Sequence, residues 1–245
     1  MTRASQTRAS HLLVYVAIFA ILTLPSVSAP AQQNYIGRYD VYAGFVDIDS
    51  PKLGLNEKGF HAQAGINPRR WLSFGGDYSV ASGSELLTTD LLPAALQAQI
   101  NAAQAGYIAL GLLPANYDLA VPTDASTQTF AAGPQLAYRR YARLTLFLRP
   151  SLGALREHAI PHAADAFQKV IVAELAPVGS KTDWTGFYGV GGGGDYTISP
   201  HFGIRAQMDF VYNHPFNDIL ATGRWTFRYS VGPSFHFGRN TAAGK

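Results

Sequence analysis

From Arg224 to Phe237 the chain alternates without a break. Trp225, Phe227, Tyr229, Val231, Pro233, Phe235 and Phe237 are apolar, while Thr226, Arg228, Ser230, Gly232, Ser234 and His236 are small or polar. Side chains alternate across a strand, so this stretch predicts a strand with one apolar and one polar face. It exceeds the roughly five or six residues usual in soluble strands and reaches the roughly 9 to 11 that cross a bilayer at a tilt. Hydrocarbon admits strands only in closed barrels, because an open edge would leave peptide groups without partners.

The same pattern recurs seven times upstream. Residues 38–46 carry Tyr39, Val41, Ala43 and Phe45 opposite Asp40, Tyr42 and Gly44, and 59–67 carry Phe60, Ala62, Ala64 and Ile66 opposite His61, Gln63 and Gly65. Further apolar sets are Leu72, Phe74, Tyr78 and Val80; Phe130, Pro134, Leu136 and Tyr138; Leu144, Leu146, Leu148 and Leu152; Trp184, Tyr188, Val190 and Tyr196; and Phe202, Ile204, Met208, Phe210 and Tyr212. Expected loops at 47–57, 81–126, 156–180 and 213–223 alternate with expected turns at 67–70, 139–142 and 199–201. The pattern predicts an all-β, eight-stranded antiparallel up-and-down transmembrane β-barrel with short turns at one end and long loops at the other.

A soluble lipocalin-like barrel has the same strand number but turns its apolar side chains inward. The polar parity here is rich in glycine and carries charges of both signs. The apolar parity ends in Tyr39, Tyr78, Tyr138, Trp184, Tyr212 and Trp225, which suit interfacial girdles. Both features favour apolar side chains facing lipid.

Composition narrows the class. Arg3 and Arg8 precede an uncharged run at 12–24 and small residues up to Ala31, so residues 1–31 read as a secretory signal peptide with Gln32 as the mature start. The run is shorter than the roughly 20 residues a spanning helix needs. Without the leader, 17 basic residues face 16 acidic ones, and no Lys/Arg cluster exceeds a pair, so nucleic acid is not an expected partner. The absence of cysteine excludes disulfides, thiolate metal sites and cysteine nucleophiles.

Across 37–238 the chain resembles the small outer-membrane β-barrel family that includes the OmpA transmembrane domain and OmpX-like proteins. The resemblance rests on residues 39–45 (YDVYAGF), 191–196 (GGGGDY) and 229–237 (YSVGPSFHF). It implies outer-membrane lipid and the outer-membrane assembly machinery as partners. Tyr229, Val231, Phe235 and Phe237 resemble the family's assembly signal, although residues 239–245 extend beyond it as an expected tail. A monomer without cofactor is expected.

The polar parity places Asp40, Asp77, Asp195 and Asp209 with Arg149, Arg205 and Arg228 inside the barrel. Buried charges are costly unless paired, so an internal ion-pair network centred on Arg205, Arg228 and Asp209 is expected. Ser234 and His236 share this face, but no orienting group is evident for a nucleophile. His158 and His162 have helical metal-ligand spacing, yet Pro161 disfavours the helix, and loop histidines are expected. The glycine run at 191–194 lacks the Lys-Ser/Thr of a phosphate loop and is expected to make room for neighbouring side chains. In the 81–126 loop, Asp90 offers an N-cap and Leu92, Leu96, Ile100 and Ala103 recur at helical spacing up to Gly106. That helix is expected either to lie over the barrel mouth or to present a surface to a ligand.

The resulting expectation is an outer-membrane barrel with a structural or surface-interaction role, a closed or very narrow lumen and four exposed loops. A pore for ions or small solutes is the alternative. A lipid A-modifying enzyme is less favoured, because no catalytic or metal constellation stands out.

Overall fold

The structure, a computed structural model, describes residues 33–241. The expected signal peptide lies outside them. Eight antiparallel strands close into one barrel in sequence order: β1 (Gly37–Ser50), β2 (Leu55–Arg69), β3 (Leu72–Thr88), β4 (Ala120–Tyr138), β5 (Leu144–Pro161), β6 (Lys181–Ser199), β7 (Phe202–Asn213) and β8 (Arg224–Asn240). Closure is made by β1 against β8, where Tyr39 faces Phe237 and Phe45 faces Val231. Every strand thereby has two neighbours, and no edge is left open.

The apolar parity points outward. Phe45, Phe60, Phe74, Leu136, Leu148, Tyr188, Ile204 and Val231 are all exposed, with Leu148 56% exposed. The polar parity points inward: Asp40, His61, Asp77, Arg149, Asp195, Arg205, Asp209 and Arg228 are buried. A lipocalin-like arrangement requires the reverse, so the soluble alternative is overturned.

The outward apolar belt has definable limits. At the loop end its last large side chains include Phe45, Phe60, Phe130, Trp184 and Trp225; beyond them the outward positions are mostly polar, with Lys58, Asn56, Ser82, Ser84, Gln128 and Asp124, and Leu86 and Ile160 are exposed further out. Tyr78, Trp184, Tyr212 and Trp225 lie at this rim, and Tyr39 and Tyr138 lie near the turn end, so the six aromatics form two rows. Ring contacts tie neighbours in each row, Tyr212 to Trp225 at 5.4 Å and Tyr39 to Phe237 at 5.6 Å between centroids.

Several strands run past the belt at the loop end, which corrects the expected boundaries. The first connection is a tight 3-10 turn at Pro51–Leu53 closed by Gly54 at φ 59, instead of a loop over 47–57. Asp49 pairs with Asn56 there, so polar residues that read as a loop continue the ladder above the belt. The other loops shrink to 89–119, 162–180 and 214–223. At the C-terminus β8 continues to Asn240, which pairs with Gly37, so the expected tail begins later than residue 239.

Two helices sit in the loops: α1 (Ala94–Ala109) and α2 (Ala166–Leu175). Pro93 caps α1 in place of Asp90, because the residue before a proline is pushed to extended backbone and Leu92 has ψ 160. Gly106 lies within the helix; the left-handed residue after its end is Gly111, at φ 70. Helix α2 was not anticipated from the sequence. Asp165 accepts a hydrogen bond from the Gln168 amide at 2.8 Å and Gln168 Oε1 accepts one from Ala164, a reciprocal cap that the sequence does contain.

The helices close the loop end. Ile100 of α1 and Phe167 and Ile171 of α2 pack with Leu92, Leu119 and Val121. A second cluster of Leu53, Leu55, Leu91, Ala125, Ala159, Phe216 and Leu220 joins the first turn, the strand ends and the last loop. The 89–119 segment therefore lies over the barrel mouth.

Candidate functional site

An eight-stranded barrel has an interior just wide enough for side chains to fill. Here the seven inward charges form two separate sets. In the middle of the barrel Asp77 (β3), Arg149 (β5), Asp209 (β7) and Arg228 (β8) are joined. Arg149 reaches Asp77 at 3.0 Å and grips Asp209 through Nε at 3.2 Å and Nη2 at 2.9 Å. Arg228 reaches Asp77 at 3.0 Å and Asp209 at 2.6 Å, and also donates to Thr129 Oγ1 at 2.8 Å. Two guanidinium groups thus balance two carboxylates, and the pairs link strands on opposite walls. Bidentate arginine geometry is what makes such buried pairs tolerable.

Nearer the turns, Arg205 (β7) reaches Asp195 at 2.9 Å, Asp40 at 3.1 Å and Gln63 at 3.1 Å. Asn67 donates to Asp40 at 3.0 Å, and Ser234 donates to Asp195 at 3.0 Å. The network is therefore not centred jointly on Arg205 and Arg228. Each anchors its own set, because Arg205 lies four residues from Asp209 along one strand, toward the turn end.

The glycine run of β6 fits against the central set. A Cβ at Gly191 would overlap the Asp209 carboxylate; in the turn-end set, one at Gly203 of β7 would come within 2.5 Å of Asp195 Oδ1. Small residues on this wall leave space for the long side chains opposite.

Above the central set the lumen turns partly apolar. Val46, Ile48 and Ala81 form one buried cluster, and Leu155, Phe187 and Val211 another. The inward parity is thus not polar throughout: between the central charges and the loop end these apolar side chains are interleaved with Thr127, Asn213 and Thr226.

Beyond these side chains lies a cluster that sequence reasoning missed. Glu57 (β2), Glu85 (β3), Glu157 (β5) and Arg224 (β8) share the space beneath the loops, with Arg224 paired to Glu157. Glu57 and Glu157 are fully buried. Both Glu57 carboxyl oxygens, one on Glu85 and one on Glu157 lack a hydrogen-bond partner. These residues were hidden because 47–57 and 156–180 read as loops, where a carboxylate is ordinarily solvated. All three lie above the apolar belt. Burial, followed by the neighbouring Glu157 charge, pushes Glu57 up to about 8 despite the nearby Thr127 hydroxyl; burial and Glu157 also push Glu85 up to about 7.

A carboxyl raised in the folded state stabilises the fold fully below its ordinary value, and that contribution is lost as pH rises through the folded value. Glu57→Gln is therefore expected to leave the urea midpoint nearly unchanged at about pH 4 and to raise it at about pH 9. An equal effect at both pH values would contradict the assignment.

The other sequence candidates do not assemble. Ser234 Oγ is 3.4 Å from His236 Nε2, but Asp195 meets that same nitrogen at 3.4 Å and so does not orient the ring from its far side. His158 lies in β5 and bonds Thr182 at 2.7 Å, while His162 bonds Asp124 at 2.8 Å. Among the described residues no group of His, Asp and Glu is arranged to hold a metal ion.

No family model matches the chain, and no curated protein matches it. The solved structures similar to it include Ail, the attachment invasion locus protein of Yersinia pestis, in complex with the heparin analogue sucrose octasulfate; it is 15% identical, with 82% of this chain and 99% of that one covered and a TM-score of 0.47. Neisserial surface protein A is 12% identical over 81% of this chain and 96% of its own, with a TM-score of 0.48. Outer membrane protein OprG from Pseudomonas aeruginosa is 10% identical over 85% and 99%, with a TM-score of 0.44. These are likenesses of fold to small outer-membrane β-barrels.

Proposed function

We propose that the protein is an integral, monomeric outer-membrane barrel with a closed lumen, whose role is structural and whose loop end is a surface for interaction. The observation that carries this reading is the joining of opposite walls by Arg149 and Arg228. An ion crossing the lumen would have to part Asp77–Arg149, Arg149–Asp209 and Arg228–Asp209 together, and would then meet the packed side chains around Leu155 and Phe187. Breaking buried pairs costs several kcal/mol each, on the order of 3 to 5.

The outward belt supports a lipid environment, and the alternating strand β8 supports a signal for the assembly machinery through Tyr229, Val231, Phe235 and Phe237. The exposed Leu110 and Leu112 at the end of α1 favour the 89–119 segment as the part that meets a surface ligand. No reaction is part of this reading.

In planar bilayers the purified protein is expected to give no discrete conductance steps. Reproducible single-channel steps would replace the closed reading with that of a narrow pore.

A further inference from the structure

Charge is divided unevenly between the two ends of the barrel. Arg38, Arg69, Arg140, Arg143 and Arg239 are exposed at the turn end: at the start of β1, around the β2–β3 and β4–β5 turns and at the close of β8. Arg70 and Arg139 tie those two turns together, each donating to the other's main-chain oxygen, so this part of the arc is held in place. The carboxylates described at this end, Asp40 and Asp195, are buried and engaged by Arg205. Exposed carboxylates, among them Asp90, Asp118, Asp124, Glu174 and Asp218, stand at the loop end. Among the described residues, five exposed guanidinium groups thus have no exposed carboxylate at their end of the barrel.

Their depth identifies the counter-charge. Tyr39, Tyr138 and Phe237 end the outward belt near the turns, and Trp71 and Tyr141 are about half exposed within the turns themselves. Each of the five arginines is one or two residues from Tyr39, Trp71, Tyr141 or Phe237, and the Arg69 guanidinium lies 5.9 Å from the centre of the Trp71 ring. Interfacial aromatics sit at headgroup level, so the arginines stand where the phosphates of a bilayer lie. We infer that the turn end gathers anionic phospholipids, such as phosphatidylglycerol and cardiolipin, their phosphodiester oxygens accepting from the guanidinium groups. The inference rests on the reading of the belt as lipid-facing; short turns of such barrels are periplasmic, which makes the leaflet the inner one. Guanidinium groups match phosphate oxygens in pairs. A soluble anion would have to be drawn from solution, whereas lipid headgroups already occupy this depth.

Trp184→Phe and Trp225→Phe leave Trp71 as the single tryptophan, a reporter at the turn end. In vesicles, quenching of Trp71 by lipids brominated on the upper acyl chain gives the relative affinity of phosphatidylglycerol and phosphatidylcholine for the sites beside it. One basic residue near an anionic surface is worth about fivefold, so a preference for phosphatidylglycerol of about fivefold or more is expected at low salt. It should fade toward about 1 M salt. Changing the five arginines to glutamine should remove it, with heat-modifiable migration on gels showing the barrel intact. Trp184 and Trp225, read together in Trp71→Phe, should show no such preference. Equal quenching by the two lipids, or a preference that survives the five substitutions, would overturn the inference; binding of poly-glutamate in its place would assign the arc to an acidic polypeptide. A greater loss of preference with glycerol phosphate than with sodium chloride of equal ionic strength would make it a site for soluble phosphates instead. Absence of quenching by either lipid would overturn the lipid-facing reading as well.

Discussion

Arg228→Met is expected to destabilise the barrel by about 3 to 5 kcal/mol, the cost of leaving buried charges without their partner. Arg228 is 3% exposed and engages Asp77 and Asp209 together, so its loss leaves Asp209 to Arg149 alone and Asp77 to Arg149 and His61, the latter at 3.4 Å. Methionine matches much of the arginine stem in shape and keeps the packing loss small. The double variant Arg228→Met, Asp209→Asn restores one positive and one negative charge to the centre. It is expected to recover part of the loss, because much of the penalty comes from the stranded carboxylate. Urea unfolding of folded barrels in lipid vesicles, followed by tryptophan fluorescence, reads both variants. A double variant no more stable than the single one would mean that the two residues act independently.

The second large effect belongs to the outer face. Leu148 lies midway along the outward row of β5, between Leu144 and Leu152, and is exposed. Leu148→Arg is expected to cost about 2 to 4 kcal/mol in a bilayer, the range for a cation at the membrane midplane of a barrel. Ser84→Arg, on an outward position of β3 beyond the belt, is expected to stay within about 0.5 kcal/mol, as substitutions at solvated surfaces do. The comparison uses the same refolding equilibrium for both. Equal effects would mean that the belt does not lie in hydrocarbon.

Why the barrel was legible in the sequence, and the loop end was not, follows from where each pattern has a physical cause. Within the belt one face meets apolar surroundings and the other a packed polar lumen, so alternation is enforced at nearly every step, as in β8 from Trp225 to Phe237. Above the belt the outward row meets water instead of lipid while the inward row stays buried beneath the loops, and the enforcement of apolar outward positions lapses. Asp47, Asp49, Asn56 and Lys58 then look like a loop although they are paired in β1 and β2. That misreading also hid Glu57 and, on β5, Glu157.

The inward position of the seven charges followed from parity alone, but their pairing did not. Which residues face one another across the lumen depends on strand stagger, and stagger depends on the closed register. The apolar lumen clusters were partly visible in Val46, Leu155 and Val211, apolar residues on the otherwise polar parity. For α2 the signal was present in Asp165 and Gln168, followed by Ile171 four residues after Phe167.

The central claim is that side chains such as Leu146, Leu148 and Leu152 face lipid while Thr145, Phe147 and Ser151 face a sealed interior. The chain contains no cysteine, so single substitutions from Leu144→Cys to Leu152→Cys can each carry one spin label without background. In lipid vesicles, accessibility to oxygen measured by paramagnetic relaxation is expected to rise and fall with a period of two, highest at the even-numbered positions. Highest oxygen accessibility at the odd-numbered positions, or none that alternates, would contradict the account.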